Sequence, residues 1–295
     1  MRVKPWKSRP EAPRRGAFVL PSFFTIANMF CGYYAVTETL QAGQFLPENL
    51  GAAALHFDAA AKAIGFAVLF DGLDGRLARL MRTASAFGKE LDSLADTISF
   101  GVAPAFLGLT WGVRAVLPPL SGAGLERDLT AAGWLVTFLF LICAAARLAR
   151  FNIQSNPLTD RPERLEHKFF VGLPTPAAAG LVAAIIHVHS GVPMGEWLWV
   201  PFWLLLLAAI SLLMISTWRY YSFKELDLRK KRKFAVVIVA GVIVGGIWFY
   251  SEPVLLVIAS AYLLSGIYLK LSQAIQHGRQ ETPAQVPERA EERNV

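Results

Sequence analysis

The chain has 295 residues, 54% of them hydrophobic and 17% charged, with a mean hydropathy of +0.42. Soluble domains carry about 25% charged residues, so this composition excludes an ordinary water-soluble enzyme. The surplus of seven positive charges does not make a nucleic-acid binder either, because the basic residues stand in short runs between long apolar stretches, as in a polytopic membrane protein.

One crossing of the bilayer core takes about 20 apolar residues. That length predicts an all-α membrane bundle of eight transmembrane helices, at approximately 20–40, 53–79, 89–112, 131–151, 174–190, 197–218, 234–250 and 253–271. His56, Asp58 and Lys62 interrupt the start of the second span, and the four-residue spacing allows Asp58 and Lys62 to pair across one turn. Of the 29 lysines and arginines, 26 fall in the N-terminal segment, the even-to-odd connections and the C-terminal region; Lys62, Arg114 and Arg127 lie on the other side. Basic residues are retained in the cytoplasm, which places both termini there. The expected organisation is a basic cytoplasmic segment at 1–19, a catalytic membrane core at 20–218, a basic loop with two further helices at 219–272, and a disordered cytoplasmic tail at 273–295. The basic run at 229–233 reads as a juxtamembrane anchor. Cys31 and Cys143 read as small core residues, and His187 and His189 lack sequence neighbours that would make them metal ligands.

The chemistry is concentrated in DGLDGRLARLMRTASAFGKELDSLAD. Carboxylates inside a span are costly and mark function. Asp71 and Asp74 are three apart near the end of the second span; Asp92 and Asp96 are four apart at the start of the third. Each pair therefore shares a helix face. The connection between the two spans is short, so the acidic faces meet at similar depth. Four clustered carboxylates need compensation, and an all-oxygen set suits hard divalent ions such as Mg²⁺ or Mn²⁺. Gly72, Gly75 and Ala78 leave room for a ligand to approach the helix, although small residues also line ordinary helix contacts. Arg79 carries a planar fork suited to phosphate, and Ser85 and Gly88 lie at the turn.

The series Asp71, Asp74, Gly75, Ala78, Arg79, Gly88, Asp92 and Asp96 resembles the signature of the CDP-alcohol phosphatidyltransferase family, D-x2-D-G-x2-A-R-x8-G-x3-D-x3-D, with every fixed position filled. The resemblance implies a six-helix catalytic core and two divalent metals. Asp71 and Asp92 would bridge both ions, Asp74 and Asp96 would each complete one site, and Asp96 would accept the proton. It also implies that Gly75, Ala78, Arg79, Ser85 and Gly88 contact the CDP-lipid, and that the enzyme is a homodimer. Thr25 and Asn28, polar on the first span, are further candidates to reach the nucleotide, with capping an equal use for Thr25.

The segments PSFFTIANMFCG, DSLADTISFGVAPA, ARLARFNI and FFVGLPTPAAAG resemble the phosphatidylserine synthase branch of that family. This implies transfer of a phosphatidyl group from CDP-diacylglycerol to L-serine, with CMP as the second product, by metal-assisted in-line attack at the cytoplasmic face of the inner membrane. A serine carboxylate needs a positive partner: Arg147 and Arg150 supply forks and Asn152 a hydrogen bond, while anchoring of the helix end by snorkelling is the competing use of the arginines. Gly172 to Pro176 reads as a helix start with a fixed entry angle, and the resemblance implies that it also shapes the acceptor pocket. Another acceptor, such as glycerol 3-phosphate or inositol phosphate, or an archaeal-type CDP-lipid donor, is the nearest alternative. A divalent cation transporter is the alternative from a different class.

Overall fold

A computed structural model describes residues 19–81, 86–117, 124–154, 169–221, 241–242 and 245–280. Its helices are α1 (Val19–Gln44), α2 (Leu50–Met81), α3 (Ala86–Asp96), α4 (Ala103–Leu109), α5 (Gly124–Gln154), α6 (Thr175–Val188), α7 (Trp199–Ile215) and α8 (Ser251–Gln280). Wide π-type turns, Thr97–Val102 and Thr110–Arg114, join α3 to α4 and extend α4, so the third span is continuous from Phe87 to Arg114. Among the described residues four helical stretches are long and apolar enough to cross a membrane: Leu50–Leu77, Phe87–Arg114, Gly124–Ile153 and Ser251–Lys270. α6 and α7 are shorter apolar helices. The expected span at 234–250 falls largely outside the described residues, within which 241–242 and 245–249 are helical.

Lipid is as apolar as leucine, so helices in a membrane associate through close packing and polar contacts. The α1–α2 pair follows this rule. Ala35 and Ala42 on α1, with Ala53, Ala60, Ala61 and Ala67 on α2, are buried in the shared core. Their small side chains let the backbones approach. Two cross-helix contacts fix the pair as antiparallel: Thr25 meets Asp74 near one end, and Glu38 meets His56 near the other. Phe23, Ile26, Phe30, Leu55, Phe66 and Leu69 are exposed on these helices, where acyl chains would cover them.

The third span is the most enclosed, with Phe100, Leu107 and Trp111 fully buried. The Trp111 indole N–H donates to the Gly191 carbonyl (3.0 Å), and that of Trp203 on α7 to the Gly108 carbonyl (2.9 Å). Each satisfies a polar atom that lipid could not.

A two-stranded antiparallel ribbon, β1 (Phe169–Val171) with β2 (Arg219–Tyr221), is the one departure from an all-helical chain among the described residues. Gly172 follows β1 with φ +81°. A side chain there would press on the Ser216 carbonyl 3.0 Å away, so glycine makes the turn into α6. Pro174 and Pro176 then open α6 as the sequence predicts, their fixed φ suiting a first turn.

At the opposite end from the acidic residues, a second polar network ties three helices together. Asp58 accepts an ion pair from Lys62 (2.7 Å), the predicted one-turn partner, and also meets His187 Nδ1 of α6 (2.5 Å). His187 Nε2 meets the hydroxyl of Ser251, the first residue of α8 (2.9 Å). Sequence neighbours gave His187 no metal-ligand set, and its partners come from other helices. Asp58 is 129 positions away and only the packing of α2 against α6 brings it there.

Candidate active site

Asp71 and Asp74 stand in the last third of α2 and Asp92 and Asp96 in the second half of α3, and the two helices bring Asp71, Asp92 and Asp96 together as their spacing predicts. Carboxylate oxygens of Asp71, Asp92 and Asp96 all lie within 4.8 Å of one another. Asp74 is buried on the same face of α2 and is held by the Thr25 hydroxyl. Asp96 is buried as well, and its Oδ1 accepts from Asn28 Nδ2 at 2.9 Å. Thr25 and Asn28, expected near the nucleotide, therefore have their resolved side-chain contacts with the acids.

That arrangement depends on a close approach of α1 to the wide turn after Asp96. A Cβ on Gly32 would fall 2.7 Å from the Ser99 Cα, so only glycine permits the contact. Ser99 in turn donates to the Asn28 backbone carbonyl (2.8 Å). The π-type turn starts at Thr97, immediately after Asp96, a position where such turns commonly serve function. Here it carries Ser99 against α1 and thereby fixes Asn28 beside the carboxylate.

The donor set fits a hard cation. Asp74 Oδ1 and Asp92 Oδ1 are buried without a hydrogen-bond partner, and a buried carboxylate oxygen without a donor is costly unless a cation takes it. Among the described residues no soft ligand accompanies the three grouped acids, which favours Mg²⁺ or Mn²⁺ over zinc. Beside them, added side chains at Gly72 or Gly75 would meet nothing within 4 Å among the described residues, which leaves room for a ligand to approach α2. Ala78 and Arg79 continue α2, but their side chains are not among those described; Ser85 lies outside the described residues, and Gly88 sits in the first turn of α3.

The three candidates for the acceptor separate. Arg147 is 9% exposed, donates from Nη1 to the Thr175 hydroxyl (3.4 Å), and lies within electrostatic range of Asp96 and Asp71. Arg150, one turn on, donates to the Val171 carbonyl (3.1 Å) and the Ile215 carbonyl (3.3 Å), clamping the ribbon and α7 to α5. Asn152 donates to Ser93 Oγ (2.7 Å), and its carbonyl accepts from Lys89 (3.4 Å), so it joins the end of α5 to α3. Sequence reading treated the two arginines as equals. Helix phase distinguishes them, since a three-residue step turns the side chain by about 60° from its predecessor. Thr175 belongs to the 172–176 segment that the resemblance places at the acceptor pocket, but its contact with Arg147 had no signal in the sequence.

A family model described as CDP-alcohol phosphatidyltransferase matches residues 18–194. A CDP-diacylglycerol–serine O-phosphatidyltransferase of Helicobacter pylori is 30% identical over 257 residues, 86% of this chain and 92% of that protein. A protein of the same name from Mycobacterium bovis is 33% identical over 201 residues, 67% of this chain and 59% of its own. Another from Saccharomyces cerevisiae is 31% identical over 182 residues, 60% and 58% respectively.

Proposed function

The chain belongs to the CDP-alcohol phosphatidyltransferase family, and from that premise we propose that it transfers the phosphatidyl group of CDP-diacylglycerol to L-serine, yielding phosphatidylserine and CMP. The observation that carries the reading is the meeting of Asp71, Asp92 and Asp96 within 4.8 Å, beside a stretch of α2 with room for a ligand, in a chain whose relatives bear that enzyme name along most of its length.

Asp71, Asp74, Asp92 and Asp96 would hold two divalent ions, Mg²⁺ or Mn²⁺. When bound, such ions neutralise the diphosphate and polarise the phosphorus that is attacked. The small residues Gly75, Ala78 and Gly88, with Arg79 and Ser85, take the CDP moiety. Asn28 holds Asp96 through Oδ1, so the carboxylate cannot rotate away from the acceptor. Asp96 takes the proton from the serine hydroxyl as its oxygen attacks the phosphorus carrying the diacylglycerol; the phosphorus–oxygen bond to CMP breaks, and CMP departs with that electron pair. Arg147 pairs the serine carboxylate, which fixes the distance between hydroxyl and phosphorus.

The protein is an integral membrane protein by its four long apolar helices and its family. In the same proposal it occupies the inner membrane as a homodimer, with both termini and the acidic residues on the cytoplasmic side. The skew of 26 of 29 basic residues supports this orientation. Soluble serine and nucleotide reach the site there while acyl chains remain in lipid. The test is CMP release by the purified protein from CDP-diacylglycerol, with serine, glycerol 3-phosphate or inositol phosphate, and with Mg²⁺, Mn²⁺ or chelator. Release that needs serine and a divalent ion is expected. Turnover with another alcohol and none with serine would overturn the assignment.

A further inference from the structure

Two buried donors have no protein partner among the described residues: Arg147 Nε, on the side chain within electrostatic range of Asp96 and Asp71, and the Tyr220 hydroxyl. Tyr220 is fully buried and Arg147 is 9% exposed. Buried polar groups are almost always satisfied, so an exception calls for an explanation, and a ligand is one. Tyr262 of α8 is a neighbour of both. Its ring centroid is 5.9 Å from that of Tyr220, and it is within electrostatic range of Arg147.

The placement of Tyr220 is built in. β2 pairs with β1 in the register Phe170↔Tyr220, and Arg150 fastens the end of that ribbon to α5 through the Val171 carbonyl. On the other side the Tyr220 ring lies against Gly266, where a Cβ would come within 2.6 Å of its Cδ1. The ring is thus clamped between ribbon and helix, with its hydroxyl buried and without an acceptor among the described residues. Both tyrosines lie beyond residues 18–194, the part matched by the family model.

We propose that the Tyr220 hydroxyl, positioned by Tyr262 and Gly266, donates to the carboxylate of the amino-acid acceptor alongside Arg147, so that the ribbon and α8 form the wall that selects an acceptor bearing a carboxylate. This rests on serine being the acceptor. A carboxylate has lone pairs enough to accept from Arg147 Nε and the phenol together. A plain alcohol satisfies neither, and leaving buried donors unpaired is how such sites reject analogues. Extra helices beyond the catalytic core thereby gain a chemical role as well as a packing one.

The test is steady-state kinetics of full-length Tyr220→Phe and Tyr262→Leu, with folding checked by gel filtration in detergent. Loss of one hydrogen bond to a charged group predicts a serine KM raised roughly tenfold to a hundredfold in Tyr220→Phe, with kcat and the KM for CDP-diacylglycerol within about twofold of wild type. Tyr262→Leu, which removes the ring packed on Tyr220, is expected to show the same split, more weakly, and serves alone if Tyr220→Phe aggregates. An unchanged serine KM in the folded variants, or a fall in kcat without a change in serine KM, overturns the proposal while leaving the function intact. Wild-type protein that turns over no serine overturns the functional reading first, and is recognised before any variant is compared.

Discussion

Replacing Asn28 isolates the link between α1 and the chemistry. Asn28 is fully buried, its amide donates to Asp96 Oδ1 at 2.9 Å, and its carbonyl oxygen on the main chain accepts from Ser99. Asn28→Ala deletes the first contact and keeps the second, because Ser99 bonds to backbone. A hydrogen bond to a charged group contributes about 1.5–3 kcal/mol, so if Asn28 acts mainly by orienting the carboxylate, kcat should fall roughly tenfold to 150-fold. The assay is CMP release at saturating CDP-diacylglycerol and serine, beside a thermal melt of the solubilised protein. Asn28→Asp should be worse, since it sets another carboxylate against Asp96 in a buried place. Activity within twofold of wild type in folded Asn28→Ala would refute the claim that α1 positions Asp96.

Asp96→Asn is expected to keep CDP-lipid binding and lose transfer, whereas Asp71→Asn should lose metal-dependent nucleotide binding; equilibrium binding with and without divalent ion, set against turnover, separates the two. Gly32→Ala should destabilise the protein by about 1–3 kcal/mol through overpacking, and Ser99→Ala should not rescue it, because the collision includes the Ser99 Cα, 2.7 Å from the new Cβ; melting of the single and double variants checks this. His187→Ala cuts the contacts to Asp58 and Ser251, so the melting temperature should drop by several degrees. Its serine KM should stay near wild type, because Asp58 lies 13 residues before Asp71 on α2, roughly 20 Å along the axis. A raised serine KM would show the two ends to be coupled.

Much of this protein is determined locally. Span lengths follow from runs of apolar residues, and the faces shared by Asp71 with Asp74 and by Asp92 with Asp96 follow from the 3.6-residue period. The Asp58–Lys62 pair and the start of α6 at Pro174–Pro176 are equally local, and each appears in the structure where the spacing puts it. These features depend on residues within a turn or two of each other, so no knowledge of packing is needed to read them.

What only the tertiary structure decided are the choices of partner between helices. Thr25 meets Asp74 across 49 positions, Asn28 meets Asp96 across 68, and His187 meets Asp58 across 129. Arg147 turns toward the acids while Arg150 caps the ribbon, and Tyr220 reaches α8 only because β2 pairs with β1. In each case the deciding quantity is the rotation and depth of one helix against another. That is set by small residues such as Gly32 and the α1–α2 alanines, which allow backbones to touch, and by a wide turn that shifts the helix phase just after Asp96. The sequence names the acids; the packing of α1, the ribbon and α8 determines which side chains act on them.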